Sequence, residues 1–319
     1  MTMEAPYECG SRFKYSNNHV GYPRIVARGR DQAIVCDWTG TISLLDLSRK
    51  SIVKGENVAW VYQGQRLGCM TLSSLQIQPE VGDSCVVATR GAYAALWDLD
   101  SSEVVKIEPY IGPVNAVAYS PDGTRLAIGT GFYVLSSGQI VRPTIQVWEL
   151  ADSGPTRLMS TTLPGQCVDT ILWEPYSERI ICVSGDKSQV SGYLCCLDGD
   201  TLHSLCLDRI PLALTSRILA VGDSYLVAHR GGVQAYDRDD FSPKWTHEEP
   251  VESADLAHDE ETDILFFGGT TFLGSDGEVV GKAEFPGTFS SVAPRPDGGF
   301  LGVSQEGMIS VWDFVEQDD

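Results

Sequence analysis

The sequence predicts an all-β fold built from many short strands, and three observations carry that prediction. No segment keeps a hydrophobic period of about 3.6 residues for the length of a helix, so we expect almost no helix. Short apolar runs rich in β-branched and aromatic residues recur along the chain, bounded by turn residues. Each of these runs is followed by a second run that ends in a bulky residue and an acid.

The second run is the easiest part of the repeat to see. It reads ISLLD, AALWD, IQVWE, LCCLD, VQAYD, FLGSD and ISVWD in chain order. We call the residue before each acid the marker, and the seven markers are Leu45, Trp97, Trp148, Leu197, Tyr236, Ser275 and Trp312. Neighbouring markers lie 37 to 52 residues apart. The acid helped to choose this alignment, so FLGSD, the least regular member, is weak support by itself.

The apolar run before each marker is independent of that choice. It reads AIVC, CVVA, LAI, IICV, YLVA, ILFF and FLGV, and the turns at Pro121–Gly123 and Pro296–Gly298 are Pro-Asp-Gly, a strong turn signal. Four short strands in each repeat of about 40 to 50 residues is the pattern of a β-propeller. We therefore predict seven four-stranded antiparallel blades, with strands a to d from the inside out.

Two segments resemble the WD-repeat family. Val114–Thr130, VNAVAYSPDGTRLAIGT, followed by IQVWEL at Ile145–Leu150, is similar to the inner strands and the Trp-Asp strand of that family, and Ser291–Phe314 is a second match. The resemblance covers nearly the whole chain but is degenerate. The family's Gly-His pair is mostly missing, with His19 as its one remnant, and the Asp of the b–c turn is mostly absent. The resemblance implies a propeller that binds proteins, without the family's His–Ser–Asp–Trp hydrogen-bond network.

We expect residues 1–319 to form a single domain that closes through its N-terminus. Only six residues follow Asp313, too few for a full outer strand. A segment within residues 1–20, such as Arg12–Tyr15, is expected to supply strand d of the last blade, so that no inner edge is left unpaired. Propellers that resemble the WD-repeat family typically close in this way.

Charge and composition limit the partners. The formal net charge is −20, from 43 acidic and 23 basic residues, which disfavours nucleic acid and acidic membrane surfaces. The charge either keeps the protein soluble or favours protein partners with a basic surface. The sequence shows no secretory signal and no long apolar span, and its nine cysteines lie mostly in apolar runs, so we expect reduced thiols and a cytoplasmic protein.

The sequence carries no strong catalytic motif. The five histidines are scattered, with no metal-binding spacing, and no nucleophile or phosphate-loop motif occurs, so we expect neither an enzyme, a cofactor nor a metal. One alternative is a lactonase-like hydrolase or small-ligand binder that uses channel acids such as Asp169 and Asp255, which begin inner strands. Gly232–Trp245 resembles one repeat of quinoprotein-like propellers, but this pattern occurs once and its core is broken.

The most informative surface is the face that carries the d–a and b–c loops. Loops on a rigid scaffold carry binding, and aromatic and Arg side chains are favoured contacts. The candidate partner contacts are Trp38, Arg90, Tyr93, Tyr110, Phe132, Tyr133, Arg142, Arg230 and Phe289. The third b–c connection carries an insert, residues 131–143 (GFYVLSSGQIVRP), which forms either a projecting hairpin or a plug over the channel.

These observations predict a scaffold or adaptor that acts as a subunit or regulator of a larger cytosolic complex. A second alternative to that function is a reader of a modified peptide, in which Arg90, Arg142 and Arg230 bind a phosphate.

Overall fold

The structure is a computed structural model. It describes residues 7–16, 21–37, 40–57, 61–62, 65–66, 74–79, 84–88, 93–109, 112–134, 137–175, 177–185, 191–210, 215–285 and 287–315. Within these ranges it contains strands and turns and no helix, as the missing helical period predicts.

The strands form seven four-stranded antiparallel sheets, which we number as blades 1 to 7, and two short hairpins. The chain begins with β1 (Tyr7–Lys14). Blade 1 contains β2 (Arg24–Arg28), β3 (Gln32–Cys36), β4 (Thr41–Asp46) and β5 (Ser51–Asn57), and a hairpin of β6 (Val61–Tyr62) and β7 (Gln65–Arg66) follows it. Blade 2 contains β8 (Ser74–Ile77), β9 (Ser84–Ala88), β10 (Ala94–Asp98) and β11 (Val104–Ile107).

The remaining blades follow in chain order. Blade 3 contains β12 (Val114–Tyr119), β13 (Arg125–Thr130), a hairpin of β14 (Tyr133–Val134) and β15 (Ile140–Val141), β16 (Thr144–Ala151) and β17 (Gly154–Thr162). Blade 4 contains β18 (Cys167–Trp173), β19 (Arg179–Gly185), β20 (Gly192–Asp198) and β21 (Ser204–Ile210). Blade 5 contains β22 (Thr215–Val221), β23 (Ser224–His229), β24 (Gly232–Asp237) and β25 (Pro243–Glu248). Blade 6 contains β26 (Leu256–Asp259), β27 (Ile264–Phe267), β28 (Thr271–Gly274) and β29 (Val279–Lys282), and blade 7 contains β30 (Phe289–Pro294), β31 (Phe300–Ser304), β32 (Met308–Phe314) and β1.

The chain divides into two compact units, which we describe separately. One comprises Met1–Thr71 and Leu219–Asp319, and the other Leu72–Ile218. In the first unit β2 packs on β30 and β31, and β26 packs on β30; in the second, β12 packs on β8, β9 and β18. The single domain over residues 1–319 stays a prediction.

Among the described side chains, apolar residues of strands b and c pack against a neighbouring sheet of the same unit. In the first unit, Leu45 of blade 1 packs with Leu301 and Ile309 of blade 7. In the second, Val147 of blade 3 packs with Ile180 and Leu197 of blade 4. All six side chains are at most 1% exposed. Burial on both faces explains why these strands read as unbroken apolar runs rather than as alternating patterns.

The N-terminal strand completes blade 7, as the sequence predicts. β1 pairs antiparallel with β32, from Tyr7 opposite Phe314 to Lys14 opposite Met308. Three residues of the predicted segment Arg12–Tyr15, Arg12–Lys14, form the end of this strand, which begins at Tyr7 and is eight residues long. Its outward residues are polar and exposed, so the apolar pattern that marks strands b and c is absent from much of it.

Tyr7 anchors the closing strand. Its ring lies 5.0 Å from that of Phe272 and 4.9 Å from that of Phe300, measured between ring centroids. Its hydroxyl donates a 2.7 Å hydrogen bond to the Asp259 carboxylate, which also accepts the amide of Gly299 at 2.8 Å. Tyr7 is 1% exposed. A residue of blade 7 is thereby bonded to the last residue of strand a of blade 6.

The alignment on the acid predicts Ser275 as the marker of blade 6, and the structure shows that this prediction is wrong. A β-bulge between strands c and d comes directly before or opposite the marker in five other blades, at Leu45, Trp148, Leu197, Tyr236 and Trp312. In blade 6 the bulge lies between Phe272 and Leu273. The equivalent position is therefore Leu273, which is fully buried, whereas Ser275 follows the end of β28.

The acid after the marker has a local role in the c–d turn. The Asp98 carboxylate accepts the amides of Asp100 and Ser101 at 3.0 and 2.6 Å, and Asp198 and Asp237 accept amides at the same relative positions. Such side-chain bonds to the following backbone stabilise turns. The repeated acid is thus a turn signal, which explains why it misplaced the marker in blade 6, where Asp276 accepts the amide of Glu278.

We expect substitutions of Tyr7 to weaken the closure in proportion to what they remove. Tyr7→Phe keeps the ring but removes one of the hydrogen bonds that Asp259 accepts, and should lower the free energy of unfolding by about 1–2 kcal/mol. Tyr7→Ala also removes the ring and should lower it by about 3–5 kcal/mol. Urea denaturation followed by tryptophan fluorescence measures both changes. Lys14→Ala, at an exposed position of the same strand, is the matched control, and an equal loss in that variant would contradict the anchoring role of Tyr7.

The Asp259 interaction should make the closure sensitive to acid. Burial alone would raise the pKa of Asp259, but hydrogen bonds from the Gly299 amide and the Tyr7 hydroxyl outweigh it and hold the pKa below its ordinary value. A lowered folded-state pKa stabilises the fold above the unfolded-state pKa of about 3.9, and this contribution is lost as the pH falls through the folded-state value. The difference in unfolding free energy between wild type and Asp259→Asn should therefore shrink as the pH falls below about 4. A difference that stays constant from neutral to acid pH would contradict this assignment.

Candidate interaction surface

The b–c turn of each blade lies at the same end of its sheet as the start of strand a. This follows from antiparallel order, because strand b returns to the end where strand a began. The d–a connections lead into the same end. The insert of blade 3 belongs to this end, since it joins β13 to β16.

The insert contains a two-stranded hairpin, and the choice between a projecting hairpin and a plug over the channel stays a prediction. Tyr133 pairs with Val141 and Val134 pairs with Ile140. Gly138, at a φ of 81°, lies in the turn, in a backbone conformation that favours glycine.

The base of the hairpin is tied to two d–a connections of its own unit. The Gly131 amide donates to the carbonyl of Pro113 at 2.8 Å, and the Phe132 amide donates to that of Gln166 at 2.6 Å. Gly131 also forms an isolated antiparallel bridge with Cys167, the first residue of β18. A Cβ on Gly131 would come within 3.0 Å of both Asn115 and Pro113, so the close approach needs glycine. These bonds fix the hairpin to blades 3 and 4.

The far side of the hairpin is exposed. Ser137 to Ile140 and Arg142 are all on the surface of the unit, and Ile140 is 65% exposed. This is the largest exposed fraction among the large hydrophobic side chains of the described residues. An apolar side chain so exposed on a fixed hairpin is a candidate contact for a partner.

Four of the nine predicted contact residues lie at exposed positions or in the blade 3 hairpin. Arg142 and Arg230 are exposed, and Phe132 is half-buried at the base of the hairpin. For Tyr133 the structure describes the strand position in β14. These four remain candidate contacts.

Two predicted contacts are buried and are assigned to packing. Tyr93 is 1% exposed, with the Lys106 ammonium 4.9 Å from its ring centroid. Phe289 is 8% exposed, and its ring lies 5.1 Å from that of Phe285. Sequence reasoning selected both for residue type and loop position, and neither criterion reports burial. The remaining three, Trp38, Arg90 and Tyr110, lie outside the described residues, as does His19.

Sequence reasoning missed Ile140 and Tyr22. It ranked aromatic and Arg side chains above aliphatic ones, although Ile140 stands in the same insert. Tyr22, in the connection that leads into β2, is 50% exposed. The signal for Ile140 was its place in the insert, where a large aliphatic residue has no neighbouring sheet to cover it.

The two acids that the sequence analysis placed at the channel, Asp169 and Asp255, form hydrogen bonds within the protein. The Asp255 carboxylate is fully buried; it accepts the Ser291 hydroxyl at 2.6 Å and the Val292 amide at 3.1 Å, and it lies 3.4 Å from the Arg24 guanidinium. These partners come from β30 and β2, so one carboxylate joins three blades of its unit. Asp169, in the other unit, accepts a hydrogen bond from the Cys167 thiol at 2.9 Å.

A second carboxylate, Glu249, is bonded in a similar way. It accepts the Thr271 hydroxyl at 2.6 Å, lies 3.1 Å from His247 Nε2, and pairs with the Lys282 ammonium at 3.3 Å. Burial would raise the pKa of Glu249, but the bonds from Thr271 and His247 outweigh it and lower the pKa. Glu249 thus holds the d–a connection of blade 5 against blade 6.

Among the described residues, no group of three or more His, Cys, Asp and Glu side chains is arranged to hold a metal ion. No helix long and apolar enough to cross a membrane was found in the described part of the chain.

Comparison with solved structures shows the class of fold. The chain is similar to the crystal structure of the β-propeller domain of Cps50 (Swd1) from Myceliophteria thermophila, with a TM-score of 0.71 and 13% sequence identity, over 98% of this chain and 100% of that one. The seven four-stranded sheets and this likeness identify a seven-bladed β-propeller, as the sequence predicts. No family model matches the chain, and no curated protein matches it.

We expect the contribution of the buried Asp255 carboxylate to the stability of the fold to depend on the Arg24 guanidinium beside it. Arg24→Met leaves a buried carboxylate without its cation and should lower the free energy of unfolding by about 3 kcal/mol. The double variant Arg24→Met/Asp255→Asn removes the charge as well and should lose less than the sum of the single variants, as a double-mutant cycle measures. Arg30→Met is the control, because the 3.2 Å pair of Arg30 with Asp297 is exposed, and its loss should stay below about 1 kcal/mol. Strict additivity in the cycle would contradict the coupling.

Proposed function

We propose that this chain is a non-catalytic interaction scaffold, a divergent propeller of the WD-repeat type that holds protein partners in a larger cytoplasmic complex. The single observation that carries the proposal is the blade 3 hairpin. It is fixed at its base by backbone hydrogen bonds and presents Ile140, 65% exposed, beside the exposed Arg142. Rigid loops bind with little loss of conformational entropy, so a fixed hairpin is a better contact than a mobile one.

The state of the candidate acids favours binding over catalysis. A hydrolase that uses paired carboxylates needs two acids free to meet a substrate. Asp255 instead has a cation, a hydroxyl and an amide as partners, and Asp169 accepts a thiol. Both are better explained as parts of the fold. The reader of a phosphorylated peptide stays a prediction of the sequence.

The net charge supports a partner with a basic surface. Exposed charges of opposite sign accelerate association and favour correct partners more than they raise affinity. With a net charge of −20, the chain would attract a basic protein at low ionic strength. Binding of such a partner should weaken as the salt concentration rises.

The hairpin contact can be tested by substitution at its exposed apolar residue. Ile140→Ser should leave folding unchanged, because the side chain is mostly in solvent. It should lower recovery of the specific partner and raise the Kd of the complex by about 5- to 100-fold. Quantitative affinity purification from the native host identifies the partner, and the Kd is then measured with the purified pair.

Leu158→Ser is the matched control for that experiment. Leu158 is 46% exposed on β17, the outer strand of the same blade. A partner lost equally from both variants, or from neither, would count against a contact surface at the hairpin.

A further inference from the structure

Blade 4 concentrates the cysteines of the chain. Five of the nine lie in it, at positions 167, 182, 195, 196 and 206, and all five are thiols. Four of them form two cross-strand pairs. Cys182 of β19 is directly opposite Cys195 of β20, and Cys196 of β20 is directly opposite Cys206 of β21.

The two pairs lie on opposite faces of the sheet. Successive residues of a strand point to opposite sides, so Cys195 and Cys196 cannot share a face. Cys182 and Cys195 both belong to the apolar core that blade 4 forms with blade 3. Cys196 and Cys206 therefore share the other face.

The backbone of the second pair suits a disulfide. Residues directly opposite in antiparallel strands have Cα atoms about 4.5–5.5 Å apart. Disulfides span Cα separations of about 4.4–6.8 Å, so the two strands need little movement to be bridged.

The two pairs differ in access. Cys182 and Cys195 are at most 1% exposed, which shields both sulfur atoms from a solute. Cys206 is half-buried on the outer strand, beside Leu205, which is 53% exposed, while Cys196 is 1% exposed beneath it. An oxidant in solution therefore meets Cys206 first.

We propose that Cys196 and Cys206 form an oxidisable dithiol, which a hydroperoxide converts into a disulfide between β20 and β21. Cys206 gives up its proton, and the thiolate attacks one peroxide oxygen: an S–O bond forms, the O–O bond breaks, and the hydroxide that leaves takes up the released proton to become water, so that Cys206 is left as a sulfenic acid. The sulfur of Cys196 then attacks that of Cys206. The S–O bond breaks, and the hydroxyl leaves as water with the proton of Cys196. Two thiols are oxidised and one peroxide is reduced.

The order of these steps follows from the environments of the thiols. Burial raises the pKa of Cys196 to about 11, although the nearby Arg179 opposes this rise. Cys196 therefore remains protonated at neutral pH and is a poor first nucleophile. It becomes the resolving thiol because it lies directly opposite Cys206 in the strand register.

The disulfide would act on an outer strand of the second unit. β21 is the last strand of its sheet and pairs within it only with β20. A covalent bond between them prevents β21 from separating, because it removes the open states of that edge. Oxidation thus strengthens the outer edge of blade 4, and a reductant reverses it.

The test is thiol counting on the folded chain. The wild-type protein is treated with hydrogen peroxide, denatured, alkylated with N-ethylmaleimide and analysed by intact mass spectrometry. We expect the loss of two alkylation sites, their recovery after dithiothreitol, and a higher Tm for the oxidised form. Cleavage before Asp198 and Asp200 separates the peptide that carries Cys195 and Cys196 from the one that carries Cys206, so a linked pair of these peptides shows a bond from Cys206 to one of the two neighbours.

Matched variants decide which neighbouring thiol takes part. Cys195→Ala should retain the disulfide, whereas Cys196→Ala and Cys206→Ser should abolish it and leave, in Cys196→Ala, a Cys206 that is oxidised further. The proposal is overturned if the wild type links Cys182 to Cys195, if it yields only an overoxidised Cys206, or if Cys195→Ala loses the bond. The readout is independent of any binding partner, so it stands apart from the proposed function.

Discussion

The pairing of β1 with β32 is the constraint on which the first unit depends. It brings together residues that lie about as far apart in sequence as the chain allows, and closing so long a loop costs conformational entropy. Tyr7 offsets that cost through the aromatic cluster of Phe266, Phe272 and Phe300 and through its bond to Asp259. Without β1, the strand that carries Trp312 would be an open sheet edge.

A framework closed in this way leaves the turns free to vary. Strands b and c are held by burial on both faces, and the c–d turns by their aspartates, so the sheets do not depend on the sequence of the opposite turns. Blade 3 uses this freedom for the hairpin at Tyr133–Val141, whose base is fixed by backbone bonds and whose tip is not needed for packing. The polar groups nearest the starts of the inner strands, Asp255 above all, are bonded internally. Among the described residues, the acids at the starts of the inner strands are thus committed to internal bonds, and the most exposed large apolar side chain lies on the hairpin.

Much of the fold was predictable because burial leaves a strong sequence signal. The strands of Ala33–Cys36 and Ile180–Val183 are apolar for a physical reason that the sequence displays directly. The marker of blade 6 was wrong because the acid beside it reports a turn, and a turn can shift by two residues while Leu273 keeps its place in the core. The surface was harder to predict, because residue type does not report exposure: Tyr93 is covered by its blade, whereas Ile140 is exposed on the hairpin and was passed over although it stands in the insert.

The network around Asp255 suggests how so degenerate a repeat keeps its register. A buried ion pair adds little net stability, since desolvation offsets the attraction, but a misplaced partner leaves a charge without compensation. Asp255 satisfies its oxygens only when β2, β26 and β30 begin at the same level, because Arg24, Ser291 and the Val292 amide must reach it together. Elsewhere in the chain the marker tryptophans do not share such a network: Trp148 donates to Gln146, and the indole N–H groups of Trp97 and Trp312 meet no acceptor among the described residues. In this unit one carboxylate thus fixes the alignment of three blades, and the individual repeats are free to lose the polar residues that would otherwise specify it.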